Sequence, residues 1–180
     1  MNPWRDHAVP AMRDEALYGD RVVRCFAERP ACLLAMFDAA RARRPQHDAV
    51  VCEGRRFSYA NAGERSERIG AGLAALGVGA GDRVILFLSN RPEFVFVLLA
   101  VQRLGAIAVP VGVREQRPGL AYLLQQCGAC AIVFDEALAE RIPSPDEVPG
   151  LRLRLVVGEG MRSASASSNT MAQAPHCCSM

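Results

Sequence analysis

Residues 83–88 read RVILFL, an almost unbroken apolar run of strand length. A strand at a solvated sheet surface alternates apolar and polar side chains, so a run without alternation predicts a strand covered on both faces. Such a strand needs helices above and below it, and the flanking sequence supplies them. Residues 106–111 (AIAVPV), 130–134 and 151–157 repeat the strand-like composition, and helix-periodic segments fall between them. Strand and helix alternating in this way predict an α/β architecture with a mostly parallel sheet.

The boundaries of the elements follow from local chemistry. Pro30 opens a helix over 31–43 with Leu33, Phe37 and Ala40 on its apolar stripe and Leu34 and Met36 alongside; Arg41, Arg43 and Arg44 sit at its electronegative end and Pro45 stops it. Residues 49–52 and 56–59 read as a β-hairpin joined by Glu53, Gly54 and Arg55. Ser58 caps a helix over 59–76, whose stripe is Ile69, Leu73 and Leu76 and whose stop is Gly77. Asn90 with Glu93 has the spacing of a capping box, and Pro92 fits the first turn of a helix running to Leu104, ended by Gly105. A helix over 118–126 and a short one over 136–141 complete the pattern. Residues 1–30 lack a clear period and read as an irregular or partly helical lead-in. Residues 158–180 are rich in serine and alanine, without apolar period, and read as a disordered tail that is either natural or the product of a frameshift. The organisation expected is a lead-in at 1–30, a domain at 31–157 and a tail at 158–180.

Charge excludes some functions. The 21 Lys+Arg residues against 19 Asp+Glu give a net charge of +2, which argues against nucleic acid as a partner. Every one of those 21 cations is arginine. A Walker-type phosphate loop and Schiff-base chemistry both need lysine, so neither is open to these residues. Charges scattered over the first thirty residues leave no signal-peptide core. The best apolar stretch, 94–113, is broken by Gln102 and Arg103, so no membrane span is expected. The resulting expectation is a cytoplasmic protein.

Gly77, Gly79 and Gly81 form a GxGxG string, but it follows a helix and precedes a strand, the reverse of a dinucleotide-binding turn. Of the seven cysteines, Cys25, Cys32 and Cys52 lie in apolar contexts, as buried thiols do. Cys127 and Cys130 form a CxxC without a second ligand pair, and Cys177 and Cys178 stand beside His176 in the tail. His47 is expected to face solvent and His7 lies near the terminus, so no serine–histidine pair is suggested. Asp135 and Glu136 follow a strand with no evident partner. The loop Ser89-Asn90-Arg91 lies beyond the carboxyl end of the most apolar strand, where open α/β sheets bind ligands. No catalytic, cofactor-binding or metal-binding residue is assigned.

The ordered series FSYxxAxERSxRIxxGLxxLGVxxGDRV, then SNRPEF, then LGAIAVPV, resembles the N-terminal region of the AMP-forming acyl-CoA synthetases of the adenylate-forming superfamily. The resemblance covers about residues 37 to 157. It rests on scaffold positions: Ser58 and Tyr59 at a helix start, Gly81, Asp82 and Arg83 at a turn into a strand, Gly105 and Pro110 at later element ends. It implies an incomplete N-terminal subdomain of the adenylate-forming fold. It also implies a full-length parent that joins a carboxylic acid, fatty or related, to ATP with Mg²⁺, then passes the acyl group from the adenylate to coenzyme A. The family's lysine-bearing phosphate loop, acidic metal-binding segments and C-terminal catalytic lysine have no counterpart here. The implied chain is a fragment inactive alone, which self-associates through open sheet edges; the alternatives are a non-catalytic α/β module that binds a small ligand or a protein, and a thiol module using Cys127 and Cys130.

Overall fold

A computed structural model describes residues 10–17 and 19–158. The chain divides into two compact units, Met1–Ala39 and Ala40–Met180, with the boundary inside a helix. All but Gly158 of the expected tail lies outside the described residues.

The first unit corrects the reading of the lead-in. Met12–Leu17 (β1) and Arg21–Phe26 (β2) form an antiparallel hairpin, in register from Met12↔Phe26 to Leu17↔Arg21. Cross-strand pairing holds it where helical periodicity is lacking: Asp14 stands opposite Arg24, and Gly19 takes the left-handed conformation (φ 83°) that the connection needs. Glu15 accepts from Arg29 at 2.7 Å and Arg13 at 2.6 Å, which holds its carboxyl down at about 2. The helix expected from residue 31 begins at Leu33 and runs to Arg43 (α1), with Cys32 Sγ accepting from the Ala35 N–H at 3.4 Å. Cys32 is exposed and Cys25 and Cys52 are half-buried, contrary to the expectation of buried thiols.

The second unit follows the sequence more closely. Asp48–Cys52 (β3) and Arg55–Ser58 (β4) form the expected hairpin, but Arg55 belongs to the strand. The two turn residues, Glu53 (φ 50°) and Gly54 (φ 76°), both adopt positive φ, as a two-residue hairpin loop with the twist of its strands requires. Tyr59–Ala75 (α2) is capped by Ser58, whose hydroxyl accepts from the Asn61 N–H at 3.2 Å. Its buried face differs from the predicted stripe: Ala62, Gly63, Ser66, Gly70 and Leu73 are buried, while Ile69 and Leu76 are only partly so. Small residues there let Pro92–Arg103 (α3) approach closely; a methyl group on Gly70 would lie 3.6 Å from the Ala100 carbonyl oxygen.

Arg83–Phe87 (β5), Ile107–Pro110 (β6), Ala131–Asp135 (β7) and Leu153–Val157 (β8) form one parallel sheet in the order β6-β5-β7-β8. The apolar run is buried as its composition demands. Val84, Leu86 and Leu88 pack with Leu73 of α2 and with Val97, Ala100 and Val101 of α3. Ile85 and Phe87 face the other way, onto Leu120 and Leu124 of Arg117–Cys127 (α4). Ala131 and Val133 join the first side, Ile132 and Phe134 the second. A short 3₁₀ helix, Glu136–Arg141, follows β7, and Ile142, Val148 and Leu151 in the proline-rich connection fill the α4 side of the core. Gly128 ends α4 in the left-handed conformation (φ 60°), and the Arg83 guanidinium donates to the carbonyls of Cys127 (2.8 Å), Gly128 (2.6 Å) and Gly81 (3.0 Å). No helix among the described residues is long and apolar enough to cross a membrane.

Leu124 has no solvent exposure. Leu124→Ala is expected to destabilise the chain by about 2–5 kcal/mol, the range for a buried leucine whose cavity does not collapse. Denaturant unfolding followed by circular dichroism measures it as a lower midpoint at unchanged slope.

Candidate functional site

β5 and β7 are neighbours, but the chain leaves them in opposite directions. From β5 it passes through α3 to β6 on one side; from β7 it passes through the 3₁₀ helix to β8 on the other. Where loops diverge from the carboxyl ends of adjacent parallel strands a crevice opens, and in α/β sheets this is where ligands bind. The residues that reach it are Ser89 and Arg91 from the β5 loop, Asp135 from the last position of β7, and the backbone at the end of β8.

These residues satisfy one another. Asp135, 6% exposed, accepts from the Ser89 N–H (2.7 Å) on one carboxylate oxygen and from Arg91 Nη1 (2.7 Å) on the other. Arg91 Nε donates to Glu93 (2.8 Å), which is 3% exposed. The same guanidinium donates to the carbonyl oxygens of Val157 (3.2 Å) and Gly158 (3.5 Å). Two buried carboxylates on one planar cation give charge-assisted bonds that a point-like ammonium could not make together. Burial raises the Asp135 carboxyl, but the hydrogen bonds from Ser89 and Arg91 outweigh it and hold the group below the usual aspartate range. Burial likewise lowers Arg91, and Glu93 and Asp135 outweigh that, so its pKa rises.

The expectation that Asp135 has no partner is therefore corrected. Its partners lie 44 and 46 residues earlier in the chain. The signal was present, since Arg91 and Asp135 each stand at the carboxyl end of an apolar run, but using it required knowing that β5 pairs with β7. The capping-box reading of Asn90 is also corrected. The helix is capped at Arg91 without a side-chain bond, and Asn90 is exposed. Glu93 is drawn to the half-buried guanidinium instead of back to the Asn90 backbone. Asn90 is used through its carbonyl instead, which accepts from the Cys52 thiol of β3 at 3.9 Å.

The remaining candidates lie elsewhere. Gly77 and Gly81, with φ of 83° and 80°, turn the chain from α2 into the amino end of β5, and Gly79 N–H donates to Asp82 (3.0 Å). Cys127 is half-buried at the end of α4 and Cys130 is buried just before β7; both are free thiols. His47 is exposed in the loop before β3, as expected. His7, His176, Cys177 and Cys178 lie outside the described residues. No group of three His, Cys, Asp or Glu side chains able to hold a metal occurs among the described residues.

Comparison with known proteins places this arrangement. The AMP-binding enzyme family matches residues 37–176. Triostin synthetase I of Streptomyces triostinicus is 30% identical over 168 residues, covering 92% of this chain and 30% of that protein. The medium/long-chain-fatty-acid–CoA/3-oxocholest-4-en-26-oate–CoA ligase of Mycobacterium marinum is 33% identical over 118 residues, 64% of this chain and 21% of that one. The crystallised N-terminal domain of FACL13 from Mycobacterium tuberculosis superposes with a TM-score of 0.65 at 25% identity, over 69% of this chain and 33% of that domain. The chain belongs to the AMP-binding enzyme family of adenylate-forming ligases and corresponds to N-terminal scaffold of the AMP-forming acyl-CoA synthetases. It spans between 21% and 30% of the length of these two curated relatives.

The depressed Asp135 pKa makes stability depend on pH. The unfolded chain holds its aspartates near about 3.9. Above that value the folded pair contributes its full stabilisation; as pH falls below it and through the lower folded pKa, the contribution is lost. A carboxyl titration by NMR is expected to find Asp135 below the ordinary value, with a loss of thermal stability on acidification that Asp135→Asn makes smaller.

Proposed function

We propose that this chain is the opening part of an ATP-dependent carboxylic acid–CoA ligase that works through an acyl-adenylate, and that these residues alone do not adenylate. The observation that carries the reading is the combination of family membership with a strand-end junction whose charged groups bond to one another. Arg91, Glu93, Asp135 and the Ser89 N–H bond to one another. The 21 cationic residues include no lysine to hold a triphosphate in another way.

The parent reaction sets what is missing. A carboxylate oxygen attacks the α-phosphorus of ATP, the bond to the β-phosphate oxygen breaks, and pyrophosphate leaves. The coenzyme A thiol then attacks the acyl carbonyl, losing its proton as AMP departs. Charge developing on the α-phosphate needs preorganised cations or N–H donors. Mg²⁺ would neutralise the phosphates, but the described carboxylates do not fit it: Asp135 and Glu93 are committed to Arg91, and no three-ligand group exists among the described residues. We therefore assign ATP, Mg²⁺, coenzyme A and the carboxylic acid to the parent, and no catalytic, cofactor or metal residue to this chain. The domain is taken as 31–157, with residues 158–180 as a tail. The protein is read as cytoplasmic, with no nucleic acid partner. The names of the ligase relatives favour this reading over a non-catalytic small-ligand or interaction module.

Purified chain is expected to show no carboxylate-dependent exchange of labelled pyrophosphate into ATP above a no-enzyme control; clear exchange overturns the reading. Calorimetric titration with ATP, coenzyme A and fatty acids separates the module alternative, which requires saturable heat.

Self-association through sheet edges belongs to the same proposal. β6 and β8 are the outer strands of the sheet, and Ile107 (50%) and Val156 (45%) on them are exposed. Unpaired edges invite pairing with another chain. Light scattering after size exclusion is expected to give a mass above 19.5 kDa that rises with concentration; a monodisperse, highly soluble monomer counts against it.

A further inference from the structure

Four pieces of chain meet at one guanidinium. Arg91 Nε holds Glu93 in the first turn of α3, and Nη1 holds Asp135 at the end of β7. Nη1 and Nη2 also reach the Val157 and Gly158 carbonyls, at 3.2 and 3.5 Å, where the chain leaves β8. Asp135 closes the loop by accepting from the Ser89 N–H just after β5. The end of a strand with one neighbour frays, because few contacts resist local opening. β8 pairs only with β7 in its sheet, and its last pair is Asp135↔Val157.

We propose that Arg91 is a positioning residue, a latch that couples the loop after β5 to the exit of β8, so that it sets the backbone direction where strand pairing ends, from Val157 into Gly158. Three properties support this. The guanidinium is a rigid fork that can serve Glu93, Asp135 and two carbonyls at once. Both carboxylates that aim it are buried, so their grip is little screened by water or salt. The loop it sits in is short and tied at its other side by Ser89, so displacing Ser89–Arg91 must displace the exit. Whatever follows Val157 therefore begins from a point set by α3 and β5. This coupling does not depend on the ligase reading, and pyrophosphate exchange leaves it untouched.

Arg91→Ala would strand two buried carboxylates and unfold too much to be informative. Arg91→Lys keeps the charge but cannot span four acceptors. NMR on the full chain is expected to show the backbone order parameters of Val157 and Gly158 falling below about 0.6, with shifted carbonyl carbons, while Ile85 and Ile132 stay near about 0.85. Unchanged order and carbonyl shifts at the exit overturn the latch, and so does equal loosening of exit and core, which is the mark of a general structural role. Asp135→Asn provides the second arm, keeping an acceptor for Ser89 while removing the charge that aims Arg91. Joint loss of order at Ser89 and Val157 supports coupling; loss at one without the other overturns it.

Discussion

Burial of β5 and β7 on both faces is the constraint from which the second unit is built. A strand with no polar face cannot lie at a surface, so helices must cover each side. The division between Val84, Leu86 and Leu88 on one side and Ile85 and Phe87 on the other creates two cores from a single strand. Each core then recruits its own helices, α2 and α3 against the first and α4 against the second. Parallel pairing follows, because a chain that inserts a helix between strands returns to the same end of the sheet.

Burying the strands leaves their ends as the places where polar groups must be satisfied, and arginine does this at both. At the amino end Arg83 takes up the carbonyls of Cys127 and Gly128 that α4 leaves open. At the carboxyl end Arg91 pairs with two buried carboxylates and takes up two carbonyls. A guanidinium serves several acceptors from a fixed plane, whereas an ammonium on a flexible stem serves one or two. The same arginine-only composition that leaves no lysine for phosphate chemistry thus suits these residues to tying a scaffold. The charged groups at the carboxyl ends of β5 and β7 are thus taken up by the contacts that join β5, β7 and β8.

The parts legible in advance were those with strictly local causes. Ser58 caps α2, Gly77 with its positive φ follows the end of α2, and Glu53-Gly54 makes a hairpin turn, each from local backbone chemistry. The parts that were missed depend on distant partners. The β1–β2 hairpin rests on cross-strand pairs such as Asp14 with Arg24, which no single-strand period reveals. The buried face of α2 is chosen by its neighbours: Gly63 lies under the Arg41 side chain, Ser66 and Gly70 face Arg103 and Ala100 of α3, and Ile69 stands at the margin. Glu93 leaves the capping box because Arg91 offers a stronger partner in a drier place.

The sequence by itself determined the kind of fold and the family, since an unbroken apolar run, its flanking helix signals and the order of the turns are properties of neighbouring residues. Only the tertiary structure decided which strands are adjacent. That adjacency brings Asp135 to Arg91 and Ser89 and turns three unremarkable residues into one charged junction. The physical reason is that side-chain pairing across a parallel sheet depends on the path of the crossover helices, and no local pattern in the sequence records that path.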